Sequence, residues 1–126
     1  MIVGLGIDII EISRVRKVYL RYPQRFLQKV LTPGERKYCN QFEDPVPEIA
    51  ARFAAKEAFS KAIGTGMHKG VHWKLIEVVK ERGEPPRIKT HGTATKHAER
   101  LGMNNIHMTI THTDRYAAVV VIGEKI

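Results

Sequence analysis

The chain has 126 residues, of which 43% are hydrophobic and 27% are charged. This length fits one domain, residues 1–126. The proportion of hydrophobic to charged residues is that of a folded protein and excludes disorder. Lysine and arginine outnumber aspartate and glutamate by 21 to 13, and the net charge of +8 favours an anionic partner. No apolar run approaches the ~20 residues of a membrane span, no basic leader precedes the first apolar segment, and a single cysteine excludes a disulfide framework. We therefore expect a cytoplasmic protein that has no membrane partner.

The first predicted element is a strand over residues 1–10. Its apolar residues alternate, and alternation with a period of two is typical of a strand. One face has Val3, Leu5, Ile7 and Ile9, and the other has Gly4, Gly6, Asp8 and Ile10. The pattern predicts a buried strand that ends in a carboxylate.

Helical patterns follow the strand. Ser13 is the predicted N-cap of a short helix that ends at Pro23 and turns three side chains inward, namely Val15, Val18 and Tyr19. A second helix is expected over residues 24–31. Thr32 then precedes Pro33 and has Glu35 three positions on, the spacing of a capping box at the start of a third helix.

The longest predicted helix covers residues 48–63, is rich in alanine and ends at Gly64. The rest of the chain is predicted to form strands joined by tight turns, with one short helix between them. The strands are expected over 72–80, 87–91, 106–112 and 116–122, and the helix over 93–101. The continuous apolar run of the last strand favours a central position. The predicted class is α+β, an antiparallel sheet with helices packed on it.

Two carboxylates stand out. Asp8 lies in an apolar strand, where an unpaired charge is costly, and the glycines on its face leave room for close approach. Glu57 and Lys61 continue a helical row that begins with Ile49 and Phe53. Oxygen ligands from two elements suit Mg²⁺. The alternatives are that Asp8 caps the following helix and that Glu57 forms a surface ion pair with Lys61.

The segment from Lys61 to Gly66 could offer backbone N–H groups to phosphate oxygens. This signal is weak, because helices often end in glycine and because the C-terminal end of a helix repels anions. His112 ends an apolar strand, and such a histidine is more often structural than catalytic.

A basic face is predicted on the first helix. Arg14, Lys17 and Arg21 are spaced by three and four residues, and Arg25 extends the patch beyond Pro23. We expect this row to face outward, away from Asp8 and Glu57. Apolar anchors are available nearby from Val18, Tyr22 and Phe26. The combination suits an acidic helix better than nucleic acid, since no strand offers stacking aromatic residues.

Three separated motifs resemble those of the holo-acyl-carrier-protein synthases, the small bacterial 4′-phosphopantetheinyl transferases. They are GIDIIEI at residues 6–12 with Arg14 behind it, RFAAKEA at 52–58 leading into KAIGTG at 61–66, and TITH at 109–112 before Ala117 and Ala118. Their order and spacing match, and the resemblance covers nearly the whole chain. Family members often have serine at the positions of Thr109 and Thr111.

The resemblance implies transfer of 4′-phosphopantetheine from coenzyme A to a serine of apo acyl carrier protein, with release of adenosine 3′,5′-bisphosphate. It implies that Asp8 and Glu57 bind Mg²⁺. It also implies that coenzyme A phosphates are contacted by Lys61, Gly64, Thr65, Gly66 and His112. A homotrimer with active sites between protomers, a role in fatty acid biosynthesis and an acidic carrier helix on the basic face are further expectations.

The sequence leaves two other hypotheses about function open: a non-catalytic basic RNA-binding domain and a structural Mg²⁺-binding oligomerisation module. For the enzyme, the sequence leaves open whether a water near the metal or Glu57 accepts the serine proton.

Overall fold

The computed structural model describes residues 1–126 and has five helices, five strands and one 3₁₀ turn. In chain order they are β1 (Ile2–Glu11), α1 (Ile12–Arg21), α2 (Pro23–Val30), α3 (Pro33–Cys39), α4 (Val46–Ala62), the 3₁₀ turn (Trp73–Leu75), β2 (Ile76–Val79), β3 (Arg87–Thr90), α5 (Gly92–Arg100), β4 (Asn105–His112) and β5 (Tyr116–Glu124). None of the helices is both long and apolar enough to cross a membrane.

The strands form two antiparallel sheets. The larger has the order β1-β5-β4, so the last strand is central as predicted, and the smaller pairs β2 with β3. The predicted strand over 72–80 is shorter in the structure, because a 3₁₀ turn occupies residues 73–75 and only Ile76–Val79 pairs with β3.

Helix α4 organises the core. Its small side chains allow close packing, and the chain buries six alanines along it: Ala50, Ala51, Ala54, Ala55, Ala58 and Ala62. The C-terminal half of α4 packs with both sheets in one hydrophobic cluster, and its N-terminal half packs with α1, α2 and α3 in a second. Helix α4 therefore contributes to both hydrophobic clusters.

Local signals account for the start of α3 and the end of α4. Thr32 and Glu35 form the predicted capping box at the start of α3, and Gly64, with φ of +79°, follows the end of α4. The prediction for Ser13 is wrong: α1 begins at Ile12 and is preceded by Glu11, because the strand runs directly into the helix. Val18, which was expected to face inward, is 43% exposed.

The face of the larger sheet opposite α4 is open. Leu5, Ile7 and Ile9 of β1 are 65%, 63% and 65% exposed, and they lie beside alternate residues of β5, namely Ile122, Val120 and Ala118. The prediction of a buried β1 is thus wrong for this face, because only the side with the glycines is covered by a helix of the same chain.

Candidate active site

Two glycines of β1 bring α4 against the strand. A Cβ on Gly6 would collide with the carbonyl of Ala58, and a Cβ on Gly4 would collide with that of Ala62. Any side chain at either position would push the helix away. The space that the glycines leave beside Asp8 is therefore filled by the backbone of α4. This close contact brings the helix next to the C-terminal end of β1.

Asp8 and Lys61 form an ion pair across this contact. The Lys61 Nζ atom donates to Asp8 Oδ1 at 3.1 Å and to the carbonyl oxygen of Ile7 at 3.0 Å. The alternative of a Glu57–Lys61 surface pair is therefore wrong, and so is the alternative of Asp8 as a helix cap, since β1 continues beyond it to Glu11. The Asp8 side chain is mostly buried, and that of Lys61 is half-exposed.

Glu57 lacks a cationic partner. None of the ion pairs of the chain includes it. Burial and then the charge of Asp8 raise the pKa of the Glu57 carboxyl group above its ordinary value, while the Trp73 side chain and Lys61 act weakly in the opposite direction. Two carboxylates that repel each other at the edge of a cavity are a donor set that suits Mg²⁺, because the ion would relieve this repulsion.

A cavity of about 350 Å³ opens beside the two carboxylates. Arg14 lines it together with Asp8 and Glu57, and its walls include Phe26 and Phe53. The prediction that the whole basic row faces away from the site is wrong for Arg14, because α1 starts at the end of β1 and its first turn borders the same opening.

The remaining members of the basic row lie outside this cavity. Lys17, Arg21 and Arg25 are exposed, and the guanidinium groups of Arg21 and Arg25 lie 5.3 Å and 5.7 Å from the centre of the Tyr22 ring. A second cavity of about 530 Å³ lies next to them and shares three residues with the first, namely Val18, Phe26 and Phe53. The apolar anchors predicted for the basic face are thus adjacent to the candidate site.

The glycine turn after α4 does not offer free backbone donors. The N–H groups of Thr65 and Gly66 both donate to the Ser60 carbonyl at 3.1 Å, and that of Gly64 donates to the Lys61 carbonyl at 3.0 Å. The prediction that these groups are available for phosphate oxygens is wrong, because they satisfy the last carbonyls of α4. Contacts from this turn to a phosphate would have to involve other atoms.

His112 lies apart from Asp8 and Glu57 in the chain. It ends β4 and pairs through Ala117 of β5 with Ile10 of β1, so two strand spacings, roughly 10 Å, separate it from β1. It does not line the cavity of Asp8 and Glu57.

Two residues next to the site were missed by the sequence analysis. Lys56 is fully buried and bonds Glu35 Oε1 at 2.6 Å, the carbonyl of Ile76 at 2.8 Å and that of Trp73 at 3.0 Å. Trp73 stacks on Phe53, with ring centres 5.9 Å apart. These contacts span 17 to 21 residues of sequence, and no local pattern indicates them.

Comparison with known proteins decides the family. Residues 4–121 match the model of the 4′-phosphopantetheinyl transferase superfamily. The chain is 46% identical over 124 residues to holo-[acyl-carrier-protein] synthase of Koribacter versatilis, covering 98% of this chain and 99% of that one. It is 43% identical over 121 residues to the corresponding protein of Chlamydia trachomatis serovar D, covering 96% and 98%. The chain belongs to the holo-[acyl-carrier-protein] synthase family.

Solved structures of family members agree. The Neisseria meningitidis synthase superposes with a TM-score of 0.90 at 31% identity, covering 99% of this chain and all of that one. The Bacillus anthracis synthase, crystallised in complex with CoA (3′,5′-ADP), gives 0.82 at 35% identity, covering 99% and 98%. These matches confirm the predicted α+β fold and the resemblance, and they identify a transferase rather than a non-catalytic RNA-binding domain.

Proposed function

We propose that this transferase moves 4′-phosphopantetheine from coenzyme A to a serine of an apo acyl carrier protein, depends on Mg²⁺ and releases adenosine 3′,5′-bisphosphate. The observation that supports it best is that Asp8 and Glu57 line one cavity and that Lys61 forms an ion pair with Asp8 beside it. In this reaction the serine oxygen forms a bond to the phosphorus that bears the pantetheine arm. The pyrophosphate bond breaks, and the serine proton leaves to a base.

Asp8 and Glu57 are the residues that would hold Mg²⁺. When bound, the ion would supply positive charge to the pyrophosphate oxygens, on which negative charge develops as the bond breaks. The raised pKa of Glu57 supports this assignment, because a group whose charge is poorly compensated gains most from a cation.

Lys61 supplies a positive charge beside Asp8. Its ammonium group lies within hydrogen-bonding distance of Asp8 and remains half-exposed, so it can reach a phosphate oxygen of coenzyme A without leaving a buried site. Preorganised charge of this kind stabilises a leaving group without a reorganisation step. In the proposal, Lys61 therefore orients coenzyme A and stabilises the departing bisphosphate.

The protein is proposed to work as a homotrimer with active sites between protomers. The open face of the larger sheet supports the assembly, because exposed contiguous apolar surface marks interaction sites, and this face shows Leu5, Ile7 and Ile9 to solvent. The location of His112 supports the shared site. Since it lies far from Asp8 in its own chain, we propose that it reaches coenzyme A bound mainly by a neighbouring protomer, together with the turn of Gly64, Thr65 and Gly66.

The acyl carrier protein is proposed to dock on the basic face. Lys17, Arg21 and Arg25 are exposed cations next to Val18 and Phe26, and an acidic amphipathic helix would match both the charge and the apolar surface. Arg14, between this face and the carboxylates, would contact the carrier close to its serine.

The test is direct. The purified protein is incubated with coenzyme A, Mg²⁺ and an apo acyl carrier protein, and the carrier is weighed by mass spectrometry. We expect the carrier to gain the mass of one phosphopantetheine group, and to gain none when Mg²⁺ is removed with EDTA. A carrier whose mass stays unchanged over hours would overturn the proposed function.

A further inference from the structure

The indole N–H of Trp73 is a buried donor without a hydrogen-bond partner. Such a donor costs free energy comparable to that of a lost hydrogen bond, and most buried donors in folded proteins are paired. Apart from this group, only the Nε atom of Arg52 shares the condition. Trp73 is the single tryptophan of the chain, and its unpaired donor needs a physical explanation.

The indole ring is held firmly in place. Its own backbone carbonyl accepts a hydrogen bond from Lys56 Nζ at 3.0 Å. One neighbour of the ring is Phe53, stacked at 5.9 Å with an interplanar angle of 26°, and another is the Lys29 ammonium, 5.4 Å from the ring centre. A side chain fixed in this way can direct its N–H group at one target with little further loss of entropy.

The available target is Glu57. It follows Phe53 by four residues on α4, so the two side chains share one face of the helix, and Phe53 lines both cavities, one with Glu57 and the other with Trp73. The Trp73 side chain is close enough to lower the pKa of Glu57 against the stronger effects of burial and of Asp8. The donor and the carboxylate are therefore neighbours whose contact does not have the full geometry of a hydrogen bond.

We propose that Trp73 is a positioning residue for Glu57, donating its indole N–H to one carboxylate oxygen so that the other faces the Mg²⁺ site. The inference rests on the proposed function, in which Glu57 is a metal ligand. Carboxylates that bind metals are commonly oriented by a second hydrogen bond from the surrounding protein, and loss of such a partner typically weakens metal binding 10- to 100-fold.

The first experiment reads the indole directly. A ¹⁵N-labelled protein has a single indole N–H cross-peak, since the chain has a single tryptophan. We expect this peak to move downfield on addition of Mg²⁺, as the donor engages the carboxylate, and the Mg²⁺-dependent shift to be absent in Glu57→Gln. Glu48→Gln is the matched control, because Glu48 lies on the same helix but pairs with Arg52; it should keep the Mg²⁺-dependent shift. An indole peak that moves equally in Glu57→Gln and in wild type would overturn the proposal.

The second experiment uses Trp73→Phe, which keeps an aromatic ring against Phe53 but removes the N–H. We expect the Mg²⁺ concentration for half-maximal transfer to rise about tenfold, with kcat at saturating Mg²⁺, the KM for coenzyme A and the Tm close to wild type. A merely structural role would lower the Tm and leave the Mg²⁺ dependence alone, and that result would overturn the proposal. Failure of the proposed function has a different signature: the wild-type protein would then add no mass to the carrier at any Mg²⁺ concentration. Failure of the metal assignment alone would leave Glu57→Gln transferring at the wild-type rate.

Discussion

Lys56 and Glu57 are consecutive residues of α4 that meet opposite environments. The Lys56 ammonium is fully buried and has three acceptors, while its partner Glu35 also accepts the backbone N–H groups of Thr32 and Val78 at 2.9 Å. The Glu57 carboxylate is half-buried at an open cavity, has no cation of its own and lies near a second carboxylate. The helix therefore has a satisfied charge on one side and an unsatisfied charge on the other.

A structural charge and a functional charge can be told apart by how completely each is compensated. Burial lowers the pKa of Lys56, and the charge of Glu35 and its hydrogen bond oppose this effect. Since every donor of the lysine is used, the pair leaves nothing for a ligand to bind. Around Glu57 the compensation is incomplete, which costs folding free energy but leaves charge available for chemistry.

The largest effect is expected from breaking the satisfied pair. Lys56→Met keeps the volume but leaves the Glu35 carboxylate buried without its cation, so the free energy of unfolding should fall by about 3–5 kcal/mol. Because the total free energy of unfolding of a small domain is only about 5–15 kcal/mol, the variant should unfold at a much lower urea concentration than the wild type. The double variant Lys56→Met with Glu35→Gln should recover part of this loss, because no charge remains buried. Urea titrations that show a loss below about 1 kcal/mol for Lys56→Met would contradict the structural role.

Substitutions of Asp8 and Glu57 are expected to lower the activity rather than the stability. Asp8→Ala, Glu57→Ala and Glu57→Gln should each lower the transfer rate by more than about 100-fold, because each removes a ligand from a metal with few protein ligands. The rate is measured from the mass gain of the carrier, with circular dichroism as the control for folding. Near-normal turnover of any of these folded variants at ordinary Mg²⁺ would remove that residue from the proposed metal site.

The basic face gives a smaller and more selective effect. Reversing Lys17 and Arg21 to glutamate should raise the KM for the acyl carrier protein about tenfold and leave that for coenzyme A nearly unchanged, because both residues lie outside the cavity of the carboxylates. Steering by exposed charge weakens with salt, with a Debye length of about 8 Å at physiological ionic strength. The double variant should lose most of this salt dependence.

Arg14 provides the matched comparison for the basic face. Since it borders the carboxylates, Arg14→Glu should disturb both substrates, whereas the Lys17 and Arg21 reversals should disturb only the carrier. If all three reversals weaken both substrates equally, the separation of the two surfaces is wrong.

Local chemistry made much of this fold predictable. The capping box of Thr32 and Glu35, the glycine after α4 and the alternation of β4 each depend on neighbours in sequence, and each lies where expected. The proximity of Asp8 and Glu57 could also be predicted from the sequence. A carboxylate in an apolar strand and a carboxylate on an apolar helical row each need a cation to compensate their charge.

Other features depend on contacts distant in sequence. Nothing local indicates that Lys56 meets Glu35, which lies 21 residues away, or that Trp73 approaches Glu57. The prediction that β1 is buried fails on its open face, because alternation identifies two faces of a strand but does not indicate whether the same chain covers both. The N–H groups after α4 were misassigned because a glycine turn that ends a helix and one that binds phosphate look alike in sequence.

The smallest expected effect is a pair of opposite pH dependences of stability, measured without metal. The pKa of Glu57 is raised by burial and by Asp8. For Glu77, burial would raise the pKa, but hydrogen bonds from His91 and Thr32 outweigh it and hold the pKa below its ordinary value. A raised carboxyl pKa means that the charged form disfavours folding at neutral pH, and a lowered one means that the charged form favours it.

Thermal unfolding in EDTA between pH 4 and 8 should therefore separate two conservative variants. Glu57→Gln should raise the Tm at neutral pH, and its advantage should shrink as the pH falls through the raised pKa towards the ordinary glutamate value, because wild-type Glu57 then becomes neutral too. Glu77→Gln should lower the Tm at neutral pH, and its deficit should shrink only at more acidic pH, as wild-type Glu77 is protonated at its lowered pKa. Both shifts should be a few degrees at most, since each side chain is partly exposed. A Glu57→Gln variant less stable than wild type at neutral pH would mean that the carboxylate contributes to the fold, and the contrast between the two sides of α4 would fail at this residue.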